Sequence, residues 1–397
     1  MSEPVRAWRS AAAAAFSLTI AMGIGRFAYT PILPAMQQHA GLDAATAGML
    51  ASINFTGYLL GALASTALAR LPSRLSLYRA SLILSIATTA AMGLTGNFFF
   101  WSALRFVSGI ASAGILIVGF PMTMETLAKV GKSHLLGVVF GGVGCGIAIS
   151  GLAVSWLDPL VGWRGDWLWL GLIAALLGLP AWAWQKGAAA EESSGAAGPG
   201  RLRLSLPVLI LLVAYTLEGL GYVVNATFLV IVLKGTPGLG NVGLFAWVVV
   251  GLAGIPSTVL WGLATRRIGQ APALILASLL QALGTALPVL VPTPAAALIA
   301  AALFGSTFTG IVTLAFGLGR EMAPDATGRM IGLLTIFYGI GQILGPFGAG
   351  LMIARGSSFA PPLLLAAAAV LLAALLIATV WAARHQTAHS GRRVPGG

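Results

Sequence analysis

Met22-Gly23-Ile24-Gly25-Arg26-Phe27 and Leu217-Glu218-Gly219-Leu220-Gly221-Tyr222 share one pattern at a separation of about 196 residues. Each copy sits inside a long apolar run, and each carries one ionisable residue, Arg26 or Glu218. Around them the chain is 58% hydrophobic and only 8% charged, with a mean hydropathy of +0.94. A soluble domain carries roughly 25% charged residues. So few charges cannot clothe a water-soluble surface, and the composition implies an all-α integral membrane protein.

A helix needs about 20 apolar residues to cross the hydrocarbon core. Twelve such stretches can be placed, at 12–36, 45–68, 77–95, 98–127, 135–156, 166–185, 206–233, 243–264, 271–291, 294–320, 329–352 and 360–383. These runs are far longer than the roughly 10-residue alternating segments of a membrane barrel. Arg6 and Arg9 precede the first run as in a signal peptide, but its length reads as a retained first span. Loop charge then sets the orientation by the positive-inside rule. With a cytoplasmic N-terminus, the inner set is Arg6, Arg9, Arg70, Arg74, Arg79, Lys129, Lys132, Lys186, Arg201, Arg203, Arg266, Arg267, Arg320, Arg329, Arg384, Arg392 and Arg393. The outer loops hold only Arg164, Lys234 and Arg355. Both termini are then cytoplasmic, and the expected location is a bacterial inner (plasma) membrane.

The opening pattern extends into a duplication. The same offset of about 196 places Gly109 on Gly305, Gly114 on Gly310, Phe120 on Phe316 and Glu125 on Glu321. An offset of about 197 places Lys132 on Arg329, Phe140 on Phe337, Gly144 on Gly341 and Gly151 on Gly348. Six spans per half make both halves enter the membrane in the same direction, a parallel repeat about an axis along the membrane normal. The domains read as a six-helix bundle at 1–186, a cytoplasmic linker at 187–205 and a second six-helix bundle with a tail at 206–397.

Several function classes drop out. The basic excess lies in short loops between apolar runs, so nucleic-acid binding is excluded. Gly23-Ile24-Gly25 lies inside a span and follows no strand, so it is no phosphate loop, and no segment could hold an ATPase domain. His39, His134, His385 and His389 show no metal-ligand spacing, and the lone Cys145 reads as packing. No nucleophile-and-base set is visible, so no catalytic residue, cofactor or metal is assigned. Trp101, Trp156, Trp163 and Trp167 fit an aromatic belt at the outer interface.

The candidate site gathers the polar residues that apolar spans carry at a cost. A charge at the bilayer centre costs roughly 2.5–3.5 kcal/mol on insertion scales. Arg26 therefore reads as a substrate anchor, or as a fixed ion pair, or as a donor to broken-helix carbonyls near Pro31 and Pro34. Glu218 is the one acidic residue placed at mid-membrane. It reads as a proton carrier or as a permanent partner of Arg26 or Arg105. Arg105 reads as a coupling residue or as a tie to carbonyls of a neighbouring span. Tyr29, Tyr222 and Asn225 extend the faces of spans 1 and 7. Asn54 and Tyr58 on span 2, and Tyr338 and Gln342 on span 11, are i, i+4 pairs that share a face. Trp247 would supply an aromatic wall. The glycine pairs Gly57/Gly61, Gly137/Gly141, Gly142/Gly146 and Gly341/Gly345 have the spacing that lets helices approach closely.

Arg105-Phe106-Val107-Ser108-Gly109 resembles the arginine-to-glycine signature of the fourth span in major facilitator superfamily transporters. Trp261-Gly262-Leu263-Ala264-Thr265-Arg266-Arg267-Ile268-Gly269 resembles their basic loop, whose first-half counterpart keeps only Arg70, Arg74 and Arg79. Gly23-Ile24-Gly25-Arg26-Phe27-Ala28-Tyr29-Thr30-Pro31, and Leu217 to Tyr222 followed by Asn225-Ala226-Thr227-Phe228, are similar to spans 1 and 7 of the YbfB/YjiJ-like branch. The resemblance implies a monomeric secondary active transporter of a small organic solute, with proton coupling and alternating access about a central site. Uptake of an organic anion and export of drug-like or metabolite molecules both fit. A non-transporting membrane receptor on the same fold is the reading from another class.

Overall fold

A computed structural model describes residues 3–68, 74–186, 202–356 and 358–390. The linker residues 187–201 lie outside it, as do Arg70, Arg392 and Arg393. Among the described residues every regular element is helical. The helices are α1 Glu3–Leu18, α2 Tyr29–Ala40, α3 Ala44–Leu68, α4 Arg74–Ala91, α5 Phe98–Gly114, α6 Phe120–Lys129 and α7 Leu136–Trp184. After the linker come α8 Leu206–Gly235, α9 Gly243–Gly254, α10 Ser257–Ile268, α11 Gln270–Leu290, α12 Pro294–Met322, α13 Thr327–Ala354 and α14 Ala360–Ser390. π-Helical turns at Thr19–Ile24 and Ile115–Gly119 join α1 towards α2 and α5 to α6.

Ten stretches are long and apolar enough to cross a membrane, and α9 with α10 forms an eleventh, bent by 49°. The expected loop between 156 and 166 differs. Asp158 and Pro159 suggest an interruption, yet helix continues through them and the chain turns only at Gly162, with φ 63° and ψ 178°. A side chain is strained at that φ, so glycine sets the position of the break. At 1.5 Å per residue the 49 residues of α7 would run to about 74 Å if straight, more than twice the hydrocarbon core of about 30 Å. Asp166, four residues beyond the break, is fully buried, so Glu218 is not alone among buried acids.

Polarity is inverted relative to a soluble protein. Phe99 is 79% exposed and Leu160 79%, whereas Asn54, Asn225 and Gln281 are fully buried. An apolar exterior around a polar core is what lipid as solvent demands. The aromatic-belt reading holds at Trp156, which is 77% exposed. It fails at Trp101, Trp163 and Trp167, which are buried. Trp101 meets Trp163 edge-on at 5.6 Å and donates to Met92 O at 3.1 Å, so these rings fill the helix crossing near the Gly162 break.

The glycine pairs act as read, by letting helices approach, against backbone at every position but Gly137, which faces the Val259 side chain. A Cβ at Gly57 would stand 2.1 Å from Phe106 O in α5, and one at Gly142 would stand 2.2 Å from Ala15 O in α1. A Cβ at Gly341 would stand 2.1 Å from Thr216 O in α8. Two further seams join helices before the linker to helices after it. Along α3–α13, Gly48 faces Pro346 O, and Ser52 Oγ donates to Ile343 O at 2.7 Å. Along α7 with α9 and α10, Gly144 faces Gly251 O, and Thr258 Oγ1 donates to Gly137 O at 3.0 Å. α2 packs on α8, and Thr30 Oγ1 donates to Ala226 O at 2.6 Å.

Candidate functional site

The site starts from a broken helix. The first span widens into a π-helical turn, with Gly25 N donating to Ile20 O at 2.7 Å and Phe27 N to Met22 O at 3.3 Å, and Gly23 lets α7 approach it, since a Cβ there would stand 2.4 Å from Gly146 Cα. Thr30 N then bonds Phe27 O rather than Arg26 O. A buried carbonyl left over in this way needs another donor. Arg105 supplies it: Nη1 donates to Gly25 O at 3.1 Å, and both Nη1 and Nη2 reach Arg26 O at 3.4 Å. Asn54 Nδ2 donates to Arg105 O at 2.8 Å, and the Arg105 guanidinium lies over the Tyr29 ring at 4.8 Å. Tyr29 OH donates to Ala47 O at 3.0 Å. Of the alternatives for Arg105, the structure displays the tie to carbonyls.

This clamp presents Arg26. Its Nη2 donates to Ser112 Oγ at 3.0 Å, and its guanidinium lies over the rings of Tyr58 at 4.1 Å and Phe55 at 5.0 Å. Arg105 and Ser112 are seven residues apart on α5, so one helix face holds both the break and the charge it presents. Arg26 is 3% exposed, and its Nε has no hydrogen-bond partner among the described residues. The phenols of Tyr58, Tyr222 and Tyr338 lie within electrostatic reach of it.

An aromatic ladder runs alongside. Tyr215 stacks on Tyr338 at 4.3 Å, Tyr338 on Tyr222 at 5.8 Å, and Tyr222 on Phe308 at 6.0 Å and Phe304 at 6.1 Å. Phe308 meets Phe27 edge-on at 6.1 Å, and Phe27 meets Trp247 at 6.4 Å. Trp247 Nε1 donates to Ser150 Oγ at 3.4 Å across the α7–α9 seam. Gln342 lies against the Tyr222 hydroxyl. Asn225 is buried, and neither amide atom has a hydrogen-bond partner among the described residues.

Among the described residues Glu218 makes no ion pair with Arg26 or Arg105, whereas Arg74 pairs with Glu125 at 3.1 Å. Its Oε1 instead accepts from Gln281 Nε2, and Gln281 Oε1 accepts from Thr307 Oγ1 at 3.2 Å. Gln281, Thr307, Ser112, Phe304 and Phe308 are absent from the sequence-derived set. Gln281 carried a usable signal, a lone amide inside the apolar run 271–291, because an amide in lipid requires a partner.

The family model described as "Uncharacterised MFS-type transporter YbfB" matches residues 18–378. The chain is an MFS transporter of this family. Among relatives of this transporter, a chloramphenicol resistance protein of Streptomyces lividans is 32% identical over 244 residues, 58% of this chain and 59% of that protein. The 4-hydroxybenzoate transporter PcaK of Acinetobacter baylyi is 29% identical over 165 residues, 41% of this chain and 36% of that protein. The match thus spans less than two thirds of either relative. In fold the transporter is similar to the nucleoside transporter NupG, with a TM-score of 0.73 at 14% identity, covering 96% of this chain and 99% of that one. It is a multi-pass membrane transporter and not an enzyme.

The Arg105 clamp carries a stability prediction. Arg105→Lys replaces a planar fork, which reaches Gly25 O and Arg26 O from two nitrogens, with an ammonium whose donors all radiate from one nitrogen. Hydrogen bonds from charged groups contribute about 1.5–3 kcal/mol each. Thermal melting of the purified protein in detergent should fall by several degrees. An unchanged melting temperature would show that the break holds without the fork.

Proposed function

We propose that this MFS transporter is a proton-coupled carrier of small aromatic carboxylates that works by alternating access. The observation that carries the reading is a buried guanidinium with an unused donor, set against a ladder of stacked rings. A guanidinium fork matches a carboxylate, and stacked rings match a planar apolar body. Arg26 is the anchor. Tyr58, Tyr222, Tyr338, Asn225, Gln342 and Trp247 form the walls and polar rim, and Tyr29, Asn54 and Arg105 hold the frame. Glu218 takes up and releases the proton, since burial favours the neutral form of a carboxyl and an open cavity the charged one. The names of PcaK and of an A. baylyi benzoate transport protein, 27% identical over 154 residues, support an aromatic acid as cargo.

The architecture we infer is twelve spans in two parallel six-helix repeats, 1–186 and 206–397, joined by the linker 187–205. The Gly162 break and the bent α9–α10 pair support the count. The matched contacts of Gly23 with Gly146 and of Gly219 with Tyr338, on corresponding helices, support the repeat. The basic residues grouped on one side support cytoplasmic termini in a bacterial inner membrane. We take the working unit as a monomer with a small-molecule cargo and protons as its partners in the bilayer.

Reconstitution in proteoliposomes tests the reading. An acid-outside gradient should drive accumulation of labelled 4-hydroxybenzoate above that in protein-free liposomes, and collapsing the gradient should release it. No uptake or counterflow of aromatic acids would overturn it. The 32% identity to a chloramphenicol resistance protein favours a second reading, export of neutral aromatic molecules, which chloramphenicol counterflow would reveal.

A further inference from the structure

Glu218, Gln281 and Thr307 form a chain of side chains across three helices, α8, α11 and α12. All three are buried. Gln281 Nε2 donates to Glu218 Oε1, and Glu218 Oε2 has no partner among the described residues. Thr307 Oγ1 stands 3.2 Å from Gln281 Oε1, 2.8 Å from Leu303 O and 3.1 Å from Phe304 O. The titratable groups that face Glu218 are the phenols of Tyr215, Tyr222 and Tyr338. Among the described residues, α11, α12 and α14 present no charged side chain to it.

The chemistry of these groups allows two complete bonding patterns. An ionised carboxylate only accepts, a primary amide donates at one end and accepts at the other, and a hydroxyl does both. With Glu218 ionised, the Gln281 NH2 donates to it and the Thr307 hydroxyl donates to the Gln281 carbonyl. With Glu218 protonated, its OH needs an acceptor. Turning the Gln281 amide by half a rotation offers its carbonyl to the acid and its NH2 to Thr307 Oγ1. The Thr307 hydrogen then points to Leu303 O, which already lies at 2.8 Å. Each of the two links, Glu218 to Gln281 and Gln281 to Thr307, keeps a donor and an acceptor in both patterns, with one proton gained at Glu218 and none elsewhere.

We propose that Gln281 is a positioning residue that serves Glu218 in both protonation states and relays the change to α12 through Thr307. The proposal rests on the reading of Glu218 as the proton carrier. Its reach into the cargo site follows from spacing: Thr307 is flanked by Phe304 and Phe308, the two rings of α12 that stack on Tyr222. A hydroxyl that turns between the Gln281 side chain and the α12 backbone acts between those two rings.

Reconstituted protein with Gln281→Leu, Thr307→Val and Glu218→Gln tests the relay, read as proton-driven uptake against external pH and as counterflow at fixed pH. Glu218→Gln comes first: if its uptake stays proton-driven, the underlying reading fails. If it is uncoupled, Gln281→Leu, which removes the donor that favours the ionised acid, should move the pH profile towards alkaline pH by about one unit, tenfold in proton concentration. Counterflow should persist. Thr307→Val should slow proton-driven uptake and spare counterflow. Neither change should add anything in the Glu218→Gln background. An unmoved pH profile in Gln281→Leu overturns the proposal alone. Should that variant fail to fold, Thr307→Val with and without Glu218→Gln decides it, and equal loss of uptake and counterflow counts against the relay.

Discussion

Glu218→Gln is expected to abolish uphill accumulation of cargo while leaving exchange of cargo for cargo intact. One pH unit is worth about 1.4 kcal/mol per proton, so a carrier moving one proton per neutral complex can sustain about tenfold accumulation per unit of gradient. A glutamine keeps the shape and hydrogen bonding of a protonated glutamate and removes the step that takes up the proton. The site is suited to the substitution, because Gln281 offers an amide that can donate or accept at that position. Accumulation ratios should therefore fall to one at every imposed gradient, whereas counterflow under equal pH should continue. The measurement is a pair of time courses on the same reconstituted batch. Loss of both would assign Glu218 to folding or cargo binding, and retention of both would move the coupling group elsewhere.

Arg26→Lys is expected to cost an aromatic anion far more affinity than a neutral aromatic molecule. The guanidinium gives a plane to Tyr58 and Phe55 and a fork to a carboxylate; an ammonium gives neither. Truncating one partner of a buried charged pair costs about 2–5 kcal/mol, which is roughly 30-fold to several thousand-fold in Kd. Lysine keeps the charge and should fall at the low end, with Arg26→Ala at the high end. Ligand-induced thermal shifts read this directly, because a ligand that binds the native state raises its apparent stability with concentration. Equal losses for 4-hydroxybenzoate and for chloramphenicol would remove Arg26 from the anchoring role and leave it as a structural member of the Ser112 and Tyr58 cluster.

The fold was legible because lipid imposes a length rule on apolar sequence: ten of the twelve expected spans match one observed stretch or the bent pair each, and the other two, 135–156 and 166–185, run together in α7. The gap left between 156 and 166 contains the Gly162 break, but its extent was overestimated, because apolar run length does not show that helix continues up to a single glycine. Arg26, Arg105 and Glu218 were legible because a charge in an apolar run needs a reason. Their partners were not. Gln281 bonds Glu218 across a separation that only packing sets, and Arg105 reaches Gly25 O only because the first span has already broken. The tryptophans misled because the end of a span and the surface of a bundle are different places. Trp101 is at the first and not at the second.

Glycines set against backbone run through the α3–α13 and α7–α9 seams, as at Gly48 against Pro346 O and Gly144 against Gly251 O. For a carrier that rocks about these lines, such close backbone contacts would act as bearings. Variation should therefore be distributed in an unusual way over related sequences. The bearings tolerate almost no side chain, whereas the ring ladder between them can change one aromatic at a time. New cargoes can then arise inside a scaffold whose moving parts stay the same.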